Sequence, residues 1–298
     1  MKRSETKNYS MIVSSLIIKL QKFVFHISFK LAFSAILLIF TPFLIISCGD
    51  EETEQDVKIV AHRGAMEERP ENTMAAFKRA LELGAEIVEI DLYTSSDGHL
   101  FILHDSTLDR TTDGKGEAAE YTLEELQVLD AGSWFGPEYA GEHIPSFREV
   151  LEWAAEQDVV LLLDLKESGW EFAENVAGDV QAYGIEENIV VGVRSTVQAG
   201  EFRELLPNSR QLAFMGSPDD IEVYAEAGVD VLRLWLRWLD EDRSLAERVK
   251  VTGRKLMING TLGELEEARE IMNFEPDWIL IDDVAQLMRS LEIIAEGE

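Results

Sequence analysis

Short apolar runs rich in β-branched residues alternate with segments of helical period along most of the chain. Eight such runs follow Val57, and most are continuous apolar strings rather than alternating ones. Continuous strings are typical of parallel strands that are buried on both faces of a sheet. The eight predicted strands are 58–62, 86–91, 159–164, 189–193, 210–215, 229–235, 255–259 and 278–282.

The segments between these strands have the pattern of amphipathic helices, most clearly at 74–83 and 264–272. Thr122 and Ser146 are each followed three residues later by a glutamate, which is the form of a capping box, so each predicts a helix start. Eight strand–helix units in about 250 residues predict a (β/α)₈ TIM barrel. A doubly wound α/β sheet is the alternative.

One part of the pattern departs from this alternation. Strand-like segments on both sides of Asp97-Gly98 predict an antiparallel β-hairpin after the second strand. If Asp97-Gly98 is a two-residue turn, Asp91 lies directly opposite His104. Glu89 shares the face of Asp91, because side chains two residues apart in a strand point the same way.

The hairpin leads into a polar, glycine-containing insertion at about 105–145. A loop of this length inside a compact domain is usually a functional lid or a binding element. The pattern therefore predicts a TIM-barrel domain over 57–298 with a hairpin and an inserted loop or helix segment after strand 2.

The first 47 residues have a different composition. Basic residues dominate 1–30, an apolar run covers 31–47, and Cys48, the only cysteine of the protein, follows. This order predicts a secretory signal peptide of the bacterial lipoprotein type, with Cys48 as the lipidated first residue of the mature chain. Met11 is an alternative start. An uncleaved transmembrane anchor is the competing interpretation, because the apolar run approaches the length that spans a bilayer.

The net charge of the chain limits the cellular locations and the binding partners that can be expected. The whole chain has a formal net charge of −30. Residues 1–47 carry six of the 27 basic residues and one of the 57 acidic residues, so the mature chain has 21 basic against 56 acidic residues, a net charge of −35. Such acidity excludes nucleic acid as a partner, since phosphate backbones require a basic face. Residues 48–56 predict an acidic, solvated tether, and the protein is expected to be an extracytoplasmic, membrane-anchored lipoprotein of the periplasm or cell surface.

Several motifs in the first half of the domain together resemble the glycerophosphodiester phosphodiesterase family. They occur in the family's order and are separated by stretches without a motif. They are Ala61-His62-Arg63-Gly64, Pro70-Glu71-Asn72-Thr73, Glu89-Ile90-Asp91, His104-Asp105, the run from Arg110 to Gly116, and Gly141-Glu142-His143-Ile144-Pro145.

The resemblance implies a role for each matching residue. His62 and His104 would be the general acid and base, and histidine titrates near neutrality as that work requires. Three carboxylates would bind one divalent cation, Ca²⁺ or Mg²⁺, because hard cations prefer oxygen ligands. Two basic side chains would hold the phosphate of a small phosphodiester. The metal residues are Glu89, Asp91 and Asp164, and the phosphate-binding residues are Arg63 and Lys166.

The chain departs from the family pattern at positions that bear on the substrate. Asp164 stands where the family usually has a glutamate, and Arg194 falls near the place of a Ser-Phe pair in the fifth strand. The leading hypothesis is hydrolysis of glycerophosphodiesters to sn-glycerol 3-phosphate and an alcohol. The departures leave a second hypothesis open. This second hypothesis is a phospholipase D-like activity on lysophospholipids or another phosphodiester. An apolar groove for it would be supplied by Trp134, Phe135, Trp235 and Trp238. A non-catalytic binding protein on the same barrel is the third hypothesis.

Overall fold

Eight parallel strands form a closed barrel in the computed structural model, which describes residues 57–297. Each strand pairs with its neighbour in the chain, and the first strand also pairs with the last, which closes the barrel. A ninth strand, β3, is antiparallel to β2. The strands are β1 (Lys58–Ala61), β2 (Ile87–Thr94), β3 (Leu100–Ile102), β4 (Val160–Leu165), β5 (Ile189–Val193), β6 (Arg210–Ala213), β7 (Val231–Trp235), β8 (Lys255–Asn259) and β9 (Trp278–Ile281).

The predicted TIM barrel is confirmed, and the doubly wound alternative is wrong because β1 and β9 are paired. The helices of the described residues are α1 (Met74–Glu82), α2 (Leu123–Gln127), α3 (Phe147–Gln157), α4 (Trp170–Tyr183), α5 (Thr196–Leu205), α6 (Ile221–Glu226), α7 (Leu236–Glu241), α8 (Ser244–Val251), α9 (Leu265–Met272) and α10 (Val284–Glu296). Thr122 and Ser146 each cap a helix as predicted: their hydroxyl oxygens accept from the backbone N–H groups of Glu125 and Glu149.

Two apolar layers account for the continuous strand sequences. Alternate residues of each strand point into the barrel or outward against the helices. The larger layer packs strands on helices, whereas a small inner layer fills the barrel. The inner layer consists of Val60, Ile87, Leu162, Val190, Leu212, Val231, Met257, Trp278 and Leu280. Both faces of each strand are therefore buried, as the sequence pattern indicates.

The hairpin is present, but its predicted register is wrong by one residue. Leu92 pairs with Ile102, and the backbone N–H of Leu103 donates to the carbonyl of Asp91 at 3.1 Å, so Leu103 rather than His104 lies opposite Asp91. The loop has three residues, 96–98, because the backbone N–H of Gly98 donates to the carbonyl of Ser95 and Gly98 has a φ of +83°. A type I turn followed by a left-handed glycine is the usual three-residue hairpin loop.

The insertion contains regular structure and a core of its own. Short helix α2 and two 3₁₀ turns, Ala118–Glu120 and Pro137–Tyr139, lie between β3 and α3. A separate cluster of buried side chains forms beneath them, to which Phe101 of β3 contributes. The side chain of Asp130 accepts hydrogen bonds from the backbone N–H groups of Gly132, Ser133 and Gly141. The insertion is therefore a packed lobe beside the carboxyl end of β2.

The predicted signal peptide, Cys48 and the acidic tether lie outside the described residues. Between residues 57 and 297, none of the helices has the length and apolarity needed to cross a membrane.

Candidate active site

A polar layer, which consists of polar residues and two aromatic residues, lies above the inner core at the carboxyl ends of the strands. Each lies two or four residues beyond a member of the inner layer and therefore points into the barrel as well. In a TIM barrel this end carries the active site. The layer consists of His62, Glu89, Asp91, Asp164, Lys166, Arg194, Phe214, Arg233, Trp235, Asn259 and Asp282.

Three buried carboxylates form the centre of this layer. Glu89, Asp91 and Asp164 each offer an oxygen within 4.8 Å of the other two, and all three residues are at most 8% exposed. β2 and β4 are parallel with Asp91 beside Asp164, so strand pairing alone places the two aspartates together. Burial, and then the charge of Asp91, raise the pKa of Glu89 well above its usual value.

Cations surround these carboxylates. The Lys166 ammonium lies 2.7 Å from Asp91 Oδ1 and 2.8 Å from Asp164 Oδ2. The guanidinium of Arg194 lies 2.6 Å from Asp164 Oδ1. Burial by itself would raise the pKa of Asp164, but Lys166 and Arg194 outweigh it and lower that pKa. Each of the three carboxylates is thus held by a charge or a hydrogen bond donor rather than by another carboxylate.

A tight loop after β1 places Arg63 over Glu89 and Asp91. Arg63 has a φ of +54°, and its backbone N–H donates to Glu89 Oε2 at 2.8 Å. Gly64 also has a positive φ, and a Cβ there would lie 2.7 Å from the backbone of Ala76 in α1, so this loop requires a glycine. The Arg63 side chain lies 3.5 Å from Asp91 Oδ2.

Asn72, at the start of α1, contacts the same carboxylate. Its side-chain amide donates to Asp91 Oδ2 at 2.7 Å, and its backbone N–H donates to the carbonyl of Arg63. In the sequence, Asn72 was named only as part of the Pro70-Glu71-Asn72-Thr73 motif. Thr73 is the residue that caps α1, which leaves Asn72 free to orient Asp91.

Each of the two candidate histidines is hydrogen-bonded to a carboxylate through Nδ1. His62 Nδ1 lies 2.6 Å from Asp282 Oδ1, and His104 Nδ1 lies 2.7 Å from Asp105 Oδ1. A carboxylate on Nδ1 fixes the ring orientation and leaves Nε2 available for a substrate. Burial by itself would lower the pKa of His62, but the hydrogen bond that His62 donates to Asp282 and the charge of Glu89 raise it above its usual value.

A chain of ion pairs joins His104 to the centre of the site. Arg110 donates to Asp105 Oδ2 at 2.6 Å and to both oxygens of Glu71 at 2.7 and 2.8 Å. Glu71 is buried and also accepts from Arg63 at 2.9 Å. Contacts through the insertion, rather than the predicted strand pairing with Asp91, therefore connect His104 to the layer that contains Asp91.

The structure brings together every barrel residue that the sequence predicted for the site. It also places several further residues there that the sequence analysis did not predict. Asp282 and Asp105 orient the histidines, Glu71 and Arg110 connect the loops, and Arg194 and Arg233 extend the positive charge. Two of them had a signal in the sequence through their position: Asp282 is the last residue of the predicted strand 278–282, and Arg194 directly follows the predicted strand 189–193.

Comparison with known families supports this arrangement. A model of the glycerophosphoryl diester phosphodiesterase family matches residues 62–178, which include both candidate histidines and all three buried carboxylates. The chain carries a domain of the glycerophosphoryl diester phosphodiesterase family. The resemblance inferred from the motifs is therefore confirmed.

Two curated members of the family show how far the likeness extends. A glycerophosphodiester phosphodiesterase of Caldanaerobacter subterraneus subsp. tengcongensis is 39% identical over 155 residues, which are 50% of this chain and 63% of that protein. A glycerophosphodiester phosphodiesterase of Bacillus subtilis is 36% identical over 132 residues, 42% of this chain and 45% of that protein. The matched regions thus span less than two thirds of each relative.

Solved structures of family members share the whole barrel. A glycerophosphodiester phosphodiesterase from Agrobacterium tumefaciens matches 78% of this chain and 98% of its own, with 28% identity and a TM-score of 0.68. An Oleispira antarctica phosphodiesterase in complex with the product sn-glycerol-3-phosphate matches 79% of this chain and 96% of its own, with 26% identity and a TM-score of 0.71. The barrel is therefore the family fold.

Proposed function

We propose that this protein hydrolyses glycerophosphodiesters to sn-glycerol 3-phosphate and an alcohol, with one divalent cation bound by Glu89, Asp91 and Asp164. The observation that carries the proposal is the buried carboxylate triad, together with two histidines that are each hydrogen-bonded to a carboxylate. A family member of the same fold was solved with sn-glycerol-3-phosphate.

The donor set of the triad fits a hard cation. Its ligand atoms are all carboxylate oxygens, which suit Ca²⁺ or Mg²⁺, whereas zinc sites use nitrogen and sulfur. The raised pKa of Glu89 reflects the cost of holding three carboxylates together in a buried place, and a cation of charge +2 relieves that cost. When bound, such an ion would neutralise charge on the phosphoryl oxygens.

The side chains of this chain supply the proton transfers in two steps. In the first, one histidine accepts the proton of the glycerol hydroxyl next to the ester as that oxygen forms a bond to phosphorus. The other histidine donates a proton to the alcohol oxygen as the P–O bond to it breaks, which leaves a cyclic phosphate. In the second step the roles reverse, and water opens the ring to give sn-glycerol 3-phosphate. Arg63 and Lys166 hold the phosphoryl oxygens throughout.

The test is release of glycerol 3-phosphate from glycerophosphocholine by the full chain, with Ca²⁺, with Mg²⁺ and with a chelator. Release that depends on the metal and is lost in both His62→Ala and His104→Ala supports the proposal. His143→Ala is the matched control, because His143 contacts Glu149 outside the polar layer, and it should retain activity. No release of glycerol 3-phosphate from glycerophosphocholine, glycerophosphoethanolamine or glycerophosphoserine by a folded, metal-loaded chain overturns the proposal, and binding without turnover would favour a non-catalytic protein.

The phospholipase D-like alternative finds less support in the contacts of the aromatic residues. Trp134 packs edge-on against Phe135, which packs in turn against Tyr139. Trp235 is covered by the guanidinium of Arg233 at 4.2 Å. Trp238 packs against the core between strands and helices. The residues that were expected to line an apolar groove are therefore packed against one another, against cations or against the core, and turnover of lysophosphatidylcholine should be slower than that of glycerophosphocholine.

We also propose that Cys48 carries a lipid anchor that holds the protein outside the cytoplasm. Support comes from the order of a basic region, an apolar run and a single cysteine. Metabolic labelling with a radioactive fatty acid tests it, and the label should be absent in Cys48→Ser. A Cys48→Ser protein that keeps the label, or a wild-type protein without label in the membrane fraction, would contradict the anchor.

A further inference from the structure

Two arginines that the proposed hydrolysis does not use point into the barrel mouth on its far side from β2. Arg233 follows the inner-layer residue Val231 by two positions, and Arg194 follows Val190 by four, so both share the inward direction of those residues. Phe214 of the β6 segment lies between them. Its ring centroid is 4.8 Å from the guanidinium carbon of Arg194 and 5.0 Å from that of Arg233.

A second aromatic ring holds Arg233 in place and adds a third cation. The guanidinium carbon of Arg233 lies 4.2 Å from the centroid of Trp235, and that of Arg237 lies 4.9 Å from the same centroid. A guanidinium that stacks on an aromatic face keeps its N–H edge available for oxygen atoms. The two rings therefore orient Arg233 and Arg237 without neutralising them, whereas Arg194 is ion-paired with Asp164.

Arg233 lacks the partner that a buried cation normally has. It is 8% exposed, and its one hydrogen bond is a 3.4 Å contact to the side-chain oxygen of Asn259. Its Nε has no hydrogen bond partner, and no carboxylate of residues 57–297 pairs with Arg233 or Arg237. Burial, and then the neighbouring Arg194 and Arg237, lower the pKa of Arg233 to about 10. Buried charges are usually paired, so this one calls for an anion.

The excess of acidic residues makes the absence of a carboxylate partner more informative. The chain has 57 acidic and 27 basic residues, so acidic residues to neutralise an arginine are plentiful. Surface arginines such as Arg248 do pair with glutamate. The side chains in contact with Arg233 are aromatic or amide instead. The carboxylate whose charge raises the pKa of Arg233, Asp164, is already ion-paired with Lys166 and Arg194, which leaves the positive charge of Arg233 for a ligand.

We propose that Arg194, Arg233 and Arg237 form a second anion subsite, which binds a carboxylate or phosphate group on the alcohol part of the substrate. The inference rests on the proposed function, because it assigns the substrate class of that same site. Arg194 lies 2.6 Å from Asp164 Oδ1, so the subsite borders the position of the reacting phosphate. Substrates whose alcohol bears a second negative charge are preferred, and cationic alcohols such as choline are disfavoured by repulsion.

A pair of substrates that differ by one carboxylate tests the subsite. The full chain is given glycerophosphoserine or glycerophosphoethanolamine, and kcat/KM is measured for each. The expected preference for glycerophosphoserine is about tenfold, the effect of one charge-assisted hydrogen bond. In Arg233→Met the ratio should fall to about one, and in Arg233→Lys it should be intermediate. Arg289→Met is the matched control, since Arg289 is exposed on α10 and contacts only Gln286 of its own helix.

A second variant and a binding measurement keep the test decisive. If Arg233→Met fails to fold, Arg237→Met replaces it, because Arg237 is exposed and its loss leaves no buried gap. Calorimetry with O-phosphoserine and phosphoethanolamine reads the same carboxylate difference without turnover. One outcome is that the chain hydrolyses neither diester but binds O-phosphoserine more tightly than phosphoethanolamine, and that this difference is lost in Arg233→Met. This outcome disproves the proposed hydrolysis and supports the subsite. Equal kcat/KM for the two diesters in the wild type, or a preference that survives in Arg233→Met, overturns the subsite and leaves the hydrolysis standing.

Discussion

His62 and Asp282 follow the first and the last strand of the barrel, and their side chains meet at 2.6 Å where β1 and β9 pair. The candidate acid–base residue is thus oriented by the contact that closes the barrel. Residues 220 positions apart in the chain become neighbours only when the sheet is complete. The contact that orients His62 can therefore exist only in the closed barrel.

The first prediction concerns this pair. Asp282→Asn should lower the pKa of His62, because the mutation removes the hydrogen bond and the charge that raise it and leaves the burial that lowers it. In the wild type, a histidine pKa raised on folding stabilises the protein below its unfolded value of about 6.5, and this stabilisation is lost as the pH rises through the folded pKa. An NMR titration of the His62 imidazole measures this pKa in the wild type and in the variant. Asp283→Asn is the control: Asp283 caps α10 instead, so the pKa of His62 should stay unchanged.

The second prediction concerns Glu89 in the absence of metal. Its pKa is raised on folding, so the free energy of unfolding falls as the pH rises from about 4.5 through the folded pKa, where the buried group must ionise. Glu89→Gln should remove this loss and retain an acceptor for the backbone N–H of Arg63. We expect the metal-free variant to melt at least about 2 °C higher than the wild type at pH 8.

The same substitution should abolish the stabilisation that added Ca²⁺ or Mg²⁺ gives. Thermal unfolding of both proteins, with cation and with chelator, measures the two effects together. A variant that still gains stability from the cation, or that melts below the metal-free wild type at pH 8, would contradict the assignment of Glu89 as a strained metal ligand.

The third prediction concerns Glu71, which joins Arg63 to Arg110. Glu71→Gln should reduce the free energy of unfolding by about 2 kcal/mol, because three charged hydrogen bonds to a buried carboxylate are weakened. It should also lower kcat more than it raises KM, since His104 loses its connection to the polar layer. Denaturant unfolding and steady-state kinetics measure the two effects.

Glu82→Gln provides the comparison for Glu71. Glu82 pairs with Arg79 on the exposed surface of α1, where an ion pair contributes about 0.5 kcal/mol or less. Similar losses of stability in the two variants would show that the Glu71 network has no special structural weight.

The fourth prediction concerns Gly192 in β5. A Cβ at this position would lie 2.2 Å from the ring of Phe214, so Gly192→Ala must displace the ring that lies between Arg194 and Arg233. We expect a loss of about 2 kcal/mol in the free energy of unfolding. Gly178→Ala in α4 is the control: nothing lies near that Cβ, so it should gain about 0.5–1 kcal/mol from the better helix propensity of alanine. A tolerated Gly192→Ala would mean that Phe214 is not fixed.

The sequence by itself determined the barrel and most of its chemistry. Eight short apolar runs, most of them continuous, specify strands buried on both faces, because successive strand side chains point to opposite faces and both faces must then be apolar. The position of a polar residue directly after such a string placed Asp164 at the active end of the barrel. Helix starts at Thr122 and Ser146 were also predictable, since capping depends on a few neighbouring residues.

The tertiary structure decided what depends on distant contacts. The hairpin register shifted by one because Gly98 adopted a left-handed conformation in a three-residue loop, a choice that the Asp97-Gly98 sequence leaves open. The orientation of His62 by Asp282, and the meeting of Arg194 with Arg233 across Phe214, require strands far apart in the chain to lie side by side. Local sequence encodes the elements because their forces are local, whereas side-chain partners across the barrel exist only after the sheet has closed.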